Sequence, residues 1–175
     1  MFRPAASTGV VLAAAALAAA LATAGCRDIT SPAQDPTTVA FAPGLGIRLS
    51  EFTRDTSGVY YHDDAVGSGP VAVANSTLSY YYTGYLANGR TFGTNQGSQS
   101  PLTVVLGAGQ VVRGFDRGLL GIRQGGRRHL IIPPALGYGN QSSGNTIPAG
   151  SVLIFVVDVP VVTPPATTTT NRMPN

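Results

Sequence analysis

Apolar and polar positions alternate with a period of two through residues 77–86 (TLSYYYTGYL), so that Leu78, Tyr80 and Tyr82 share one face of a strand. Asn88-Gly89 follows at once, a strong signal for a tight hairpin turn. Residues 102–106 (LTVVL) and 128–132 (RHLII) read as short strands, and 152–159 (VLIFVVDV) as the central one. That last run is the most apolar and β-branched in the chain, the pattern of a strand covered on both faces. Helical spacing is found over 113–122, where Phe115, Leu119 and Ile122 recur at i, i+4 and i+7. A single short amphipathic helix against several antiparallel strands predicts an α+β fold, with the helix on the concave face of the sheet. Gly- and Pro-rich stretches at 91–101 and 133–150 predict long loops, the places where an apolar cleft can be built.

The ends of the chain read differently. Residues 1–25 combine Arg3, an apolar run over 10–24 and small residues at the end, the layout of a secretory signal peptide. The run is Ala-heavy and shorter than the roughly 20 residues of a spanning helix. The stretch ending in Cys26 (LATAGC) resembles a bacterial lipoprotein signal, in which the Cys thiol is acylated and becomes the new N-terminus. Thr23 departs from it, standing where Leu is commonest; ordinary secretion with cleavage near Ala24 is the alternative. Residues 26–44, rich in Pro, Thr and Asp, predict a lipidated Cys and a flexible tether. Residues 163–175 predict a disordered Thr/Pro-rich tail, which leaves 45–162 as the folded domain.

Composition agrees with a turn-rich β-containing domain. There are 22 Gly and 13 Pro in 175 residues, no Trp, and only 11% charged residues. Every one of the 11 basic residues is Arg, and the net charge of +3 has no cluster beyond Arg127-Arg128, which predicts no nucleic-acid partner. A single Cys excludes an intramolecular disulfide framework.

Polar catalysis finds little support. No Gly-x-Ser-x-Gly elbow is present, and assigning Cys26 to an anchor leaves no thiol nucleophile. His62-Asp63-Asp64 reads as a solvated turn rather than a metal site, since adjacent side chains diverge and no further cluster closes a coordination shell. Gly107-Ala-Gly109 has Val112 where a dinucleotide fingerprint needs a third Gly. His129 reads as a strand residue. The domain offers instead Tyr82, Phe92, Phe115, Tyr138, Ile147 and Phe155, apolar side chains near loops and turns.

Tyr82-Thr-Gly-x-Leu86 followed by Asn88-Gly-Arg-Thr-Phe92 resembles the opening motif of FKBP-type peptidyl-prolyl isomerases. The pattern continues through Leu106-Gly-x-Gly-Gln110-Val-Val-Arg-Gly-Phe115 and Gly121-Ile-x-x-Gly125-Gly-x-Arg128. It ends with Ile132-Pro-x-x-Leu136-Gly-Tyr138-Gly and Ile147-Pro-x-x-x-x-Leu153-Ile-Phe155. Ser57-Gly-Val-Tyr-Tyr61 and Gly67-Ser-Gly-Pro70 resemble the lead-in of bacterial members, so the likeness covers about 57–160. It implies a twisted antiparallel sheet of five to six strands wrapped around one short α-helix. It also implies cis/trans isomerisation of X–Pro bonds without cofactor or metal.

By position, the resemblance makes Tyr82, Phe92, Phe115, Tyr138 and Phe155 the catalytic pocket, with Leu102, Val111, Val112 and Ile147 binding substrate. Tyr138 would offer its hydroxyl, and Val112 its backbone N–H, to substrate carbonyls. Phe115 stands where many relatives have Trp, and Gly93 where most have Asp. The implied partners are proline-containing polypeptides, macrolide inhibitors and, through the lipid, a membrane; the protein would be a monomer on the periplasmic side of the cell envelope. Gly93 keeps a second reading open, a non-catalytic chaperone or binding module using the same cleft. Tyr80 and Leu153 read as core.

Overall fold

The computed structural model describes residues 33–166. The signal peptide and Cys26 lie outside the described residues, as does most of the Thr/Pro-rich tail. Seven strands form one antiparallel sheet: β1 (Thr53–Arg54), β2 (Tyr60–Ala65), β3 (Thr77–Leu86), β4 (Thr91–Thr94), β5 (Leu102–Val105), β6 (Gly126–Ile132) and β7 (Leu153–Thr163). The order is β1-β2-β6-β7-β3-β4, and β5 also pairs with β3. Among the described residues one α-helix, α1 (Arg113–Gly118), lies against it. The sheet thus exceeds the expected five to six strands. One reason is that residues 91–94, expected in a loop, return along β3 after a turn in which Gly89 has φ +84°.

β7 is the interior strand that its composition predicts, hydrogen-bonded to β6 on one side and β3 on the other. Leu153, Phe155, Val157 and Val159 point to the α1 side, where they join Leu78, Leu130, Phe115 and Leu119 in the main core. Ile154, with Val152 just before the strand, faces the other way, into a second cluster with Ala87 and Ile131. Between Ser79 and Tyr81 the register slips by one residue, so β7 carries a bulge beside the exposed Pro160, where a missing N–H does no harm.

The second cluster overturns one expectation. Val39, Phe41, Leu45, Ile47, Leu49 and Phe52 pack over it, and Ala42 N–H donates to Ala87 O at 2.8 Å. The segment from Gln34 to 44, which composition places in the flexible tether, therefore belongs to the folded unit. An interior strand apolar on both faces needs a cover on each, and this arm supplies the second.

The helix is shorter than its apolar stripe. It stops at Gly118, and Gly121 turns the chain with φ +79°, yet Phe115, Leu119 and Ile122 are all buried. Arg128 of β6, only 3% exposed, ties its end to the sheet. Its Nη1 donates to Gly118 O and Leu120 O at 2.8 and 2.9 Å, and its Nε and Nη2 donate to the Asp63 carboxylate at 2.5 and 2.9 Å. Asp63, expected in a solvated turn with His62 and Asp64, sits on β2 as the counter-ion of a buried guanidinium. His129 lies on β6, as read, directly across from His62.

Candidate active site

Between β3, β4, β5, the start of α1 and the 133–152 loop lies a cavity of about 370 Å³. Tyr82, Phe92, Leu102, Val111, Val112, Phe115, Tyr138, Ile147 and Phe155, the nine side chains marked by the sequence, all line it. Burial separates floor from rim. Phe115, Ile147 and Phe155 are 3–7% exposed, whereas Leu102 and Tyr138 are 46% and 42% exposed.

Phe155 is the hub of the floor. Its ring packs edge-on against Phe115 and Phe92, with centroids 5.1 and 5.4 Å apart, and tilts against Tyr82 at 5.9 Å. These are the separations at which aromatic quadrupoles attract. The backbone arranges it. Phe92 is the extra residue of a bulge in β4, since Gly93 pairs with Gly84 while Thr91 pairs with Tyr85. A bulge re-aims a side chain. A Cβ on Gly84 would fall 2.4 Å from the Phe92 ring, so only glycine in β3 lets that ring lie there.

β4 and β5 each pair with part of one edge of β3, and Asn95 fills the gap between them. Its Oδ1 accepts Tyr82 N–H at 2.6 Å and its Nδ2 donates to Tyr80 O at 3.2 Å, so an amide side chain stands in for a missing strand. Gln110 holds the other wall: its Oε1 accepts Val105 N–H at 2.9 Å, just ahead of Val111 and Val112. Val112 is the N-cap of α1, and its carbonyl accepts from Phe115 N–H at 2.9 Å. No acceptor among the described residues takes its N–H. Ser143 and Ile147 exchange backbone hydrogen bonds, forming a small bridge that presents Thr146 and Ile147 to the cavity.

Tyr80, Gly93, Gln110, Ser143 and Thr146 also line the cavity, and sequence reasoning did not mark them as site residues. Tyr80 reads as core from the sequence and is 6% exposed, but the cavity reaches it beside Phe115 at 5.3 Å. Desolvation, and then the neighbouring Tyr82, pushes its phenol pKa up, so it stays neutral at physiological pH. The lining holds no carboxylate, amine, imidazole or thiol. Such a site can desolvate a ligand and donate hydrogen bonds to it, and no carboxylate or imidazole base in the lining activates its hydroxyls as nucleophiles.

Residues 69–160 match the family model described as FKBP-type peptidyl-prolyl cis-trans isomerase. The FK506-binding protein of Neisseria meningitidis serogroup B is 40% identical over 102 residues, covering 58% of this chain and 94% of that protein. The crystal structure of AtFKBP13 superposes with a TM-score of 0.59 at 35% identity, covering 63% of this chain and 98% of that one. FkpA from Escherichia coli gives a TM-score of 0.59 at 29% identity, over 70% of this chain and 55% of that one. The matched span contains the whole cavity, and the chain belongs to the FKBP-type peptidyl-prolyl cis-trans isomerase family.

Proposed function

We propose that this cavity isomerises X–Pro bonds of exported polypeptides by desolvating the prolyl amide. Resonance gives that amide a barrier of about 18–20 kcal/mol, and uncatalysed exchange takes tens to hundreds of seconds. At the twisted transition state resonance is lost and the carbonyl becomes less dipolar. Removing water therefore costs the planar ground state more than the twisted one, and only such a difference accelerates the reaction. The observation that carries this reading is the floor of Phe155, Phe115 and Phe92, with no ionic side chain in the lining.

Each residue has a role in the proposal. Phe115, Phe155 and Ile147 form the dry floor for the prolyl ring; Tyr82, Phe92 and Val111 form its sides. Leu102, exposed at the rim, meets an apolar residue before the proline. The Tyr138 hydroxyl and the Val112 N–H donate to substrate carbonyls as the bond twists. Macrolide inhibitors would compete for the same floor. The test is isomerisation of a short Leu-Pro peptide, monitored by coupled proteolysis or exchange spectroscopy, with and without saturating macrolide.

The location is part of the proposal and rests on residues 1–26: a signal peptide, then acylation of Cys26 that holds a monomeric enzyme at a membrane of the cell envelope. Gln34 is already tied to the folded unit through Gly150, so at most eight residues of chain, rather than nineteen, separate that unit from Cys26. Fully extended, that reaches roughly 26–29 Å. The isomerase then works close to the membrane surface. Fatty-acid labelling of wild type and not of Cys26→Ser is the expected result; equal labelling removes the anchor.

A further inference from the structure

The N-terminal arm does more than cover the sheet, because Gln34 contacts the neck of the loop that bears Tyr138 and Ile147. Gln34 N–H donates to Gly150 O at 2.8 Å, and Gln34 Oε1 accepts Val152 N–H at 3.0 Å. Gly150, held at φ +72°, passes the contact on: its own N–H donates to Gly139 O at 2.8 Å. Gly139 adjoins Tyr138, and its N–H is tied to Pro134 O at 2.8 Å. A row of backbone bonds therefore runs from Gln34 through Gly150 to Gly139, closing the base of the 139–150 loop. Val152 leads straight into β7, three residues before Phe155.

Val152 is packed into the second cluster, but the arm side of the neck is open. The arm, the hairpin after β3 and the loop neck surround a second cavity of about 330 Å³, lined by Gln34, Ala87, Asn88, Pro148 and Ser151 among others. Groups that face an open pocket lack dispersion contacts on that side, so hydrogen bonds carry more of the hold there. The opposite flank of the loop is held by polar contact too, for Arg90 Nη2 donates to Thr146 O. Gln34 thus ties the neck to the arm through two hydrogen bonds.

We infer that Gln34 is a positioning residue for the isomerase: by clamping Gly150 and Val152 it holds the Tyr138–Ile147 loop in its binding-competent pose. The inference rests on the proposed role of that loop in binding the prolyl substrate. Loosening the neck lets the loop sample poses that do not bind, so the apparent affinity falls by the competent fraction. Chemistry in the bound complex is unchanged. The signature is a raised KM with kcat nearly constant.

The experiment uses the chain lacking residues 1–25, as wild type, Gln34→Ala and Gln34→Glu, with a Leu-Pro peptide as substrate. Gln34→Ala should raise KM about three- to tenfold, the size of one net hydrogen bond, with kcat within about twofold. Gln34→Glu, which keeps an oxygen acceptor for Val152 N–H, should restore most of it. In a Tyr138→Ala background the effect of Gln34→Ala should shrink, because coupled residues are not additive. Amide exchange at Val152 and Gly150 should speed up in Gln34→Ala, with the melting midpoint of the core little changed. Unchanged KM and unchanged exchange at both amides would overturn the inference, as would a KM rise that is fully additive with Tyr138→Ala. If the wild type does not isomerise the peptide, the proposed function fails instead, and amide exchange still decides whether Gln34 holds the neck.

Discussion

The Tyr82 hydroxyl stands 3.0 Å from the point that a Cβ on Gly93 would occupy. That hydroxyl borders the rim position at which the resemblance places an aspartate in most of the family. Gly93 is not among the residues with positive φ, so a side chain there meets no backbone strain, only the end of one tyrosine. Gly93→Asp should shift that hydroxyl by a few tenths of an ångström and place a carboxylate beside it. A charged acceptor for a ligand hydroxyl is worth about 1.5–3 kcal/mol. Macrolide affinity by titration calorimetry should rise about tenfold or more, and turnover much less. Equal affinities in a folded variant would mean that Tyr82 already makes the contact that aspartate makes elsewhere.

Tyr138→Phe separates shape from hydrogen bonding. The ring, 42% exposed at the rim, is kept, and one donor is lost. Turnover should fall by a factor that corresponds to about 0.5–1.5 kcal/mol, with the fold intact by circular dichroism. Unchanged kcat would remove Tyr138 from the mechanism. Phe155→Ala is the contrasting case: it empties the hub between Phe92, Phe115 and Tyr82, and should cost about 3–5 kcal/mol in urea unfolding besides abolishing most activity.

Asp63→Ala leaves the Arg128 guanidinium, 3% exposed, without its counter-ion. Breaking one half of a buried pair is far costlier than the pair is worth. Asp63 itself is partly exposed, so water recovers some of the loss, and about 3 kcal/mol is expected from urea denaturation. A loss below about 1 kcal/mol would show that the two carbonyls of Gly118 and Leu120 suffice to hold the charge.

His129 sets a pH dependence. Burial lowers its pKa, Asp64 at 3.2 Å pulls the other way, and Arg127 and His62 add to the lowering. Below its unfolded value near 6.5 the unfolded chain takes up the proton first. Stability is therefore fully present above about pH 6.5 and declines as pH falls from there toward the depressed folded value. Unfolding midpoints at pH 7.5 and 5.5 should differ in this sense, and by less in His129→Gln. An equal or opposite shift in the variant would assign the dependence elsewhere.

Which features the sequence disclosed follows from how local their causes are. β3 and β7 declare themselves by alternation and by β-branched content, and the spaced motifs single out nine of the residues that line the cavity. The start of the arm is hidden because Val39 and Phe41 follow a Pro/Thr/Asp-rich run and gain meaning only against Ile131, Val152 and Ile154, about ninety residues or more away. Phe92 was legible, but the bulge and the space above Gly84 that aim it depend on pairing between strands. Tyr80 reads as core by period two, and the cavity reaches it from a direction that alternation does not encode.

The central claim is that the aromatic cavity accelerates X–Pro isomerisation, and exchange spectroscopy on a Leu-Pro peptide tests it with the chain lacking residues 1–25. The account predicts cis/trans exchange well above the uncatalysed rate, suppressed by saturating macrolide and reduced in Tyr138→Phe. Exchange at the uncatalysed rate, while the peptide still perturbs the resonances of Phe115 and Phe155, would contradict it and leave a binding module in its place.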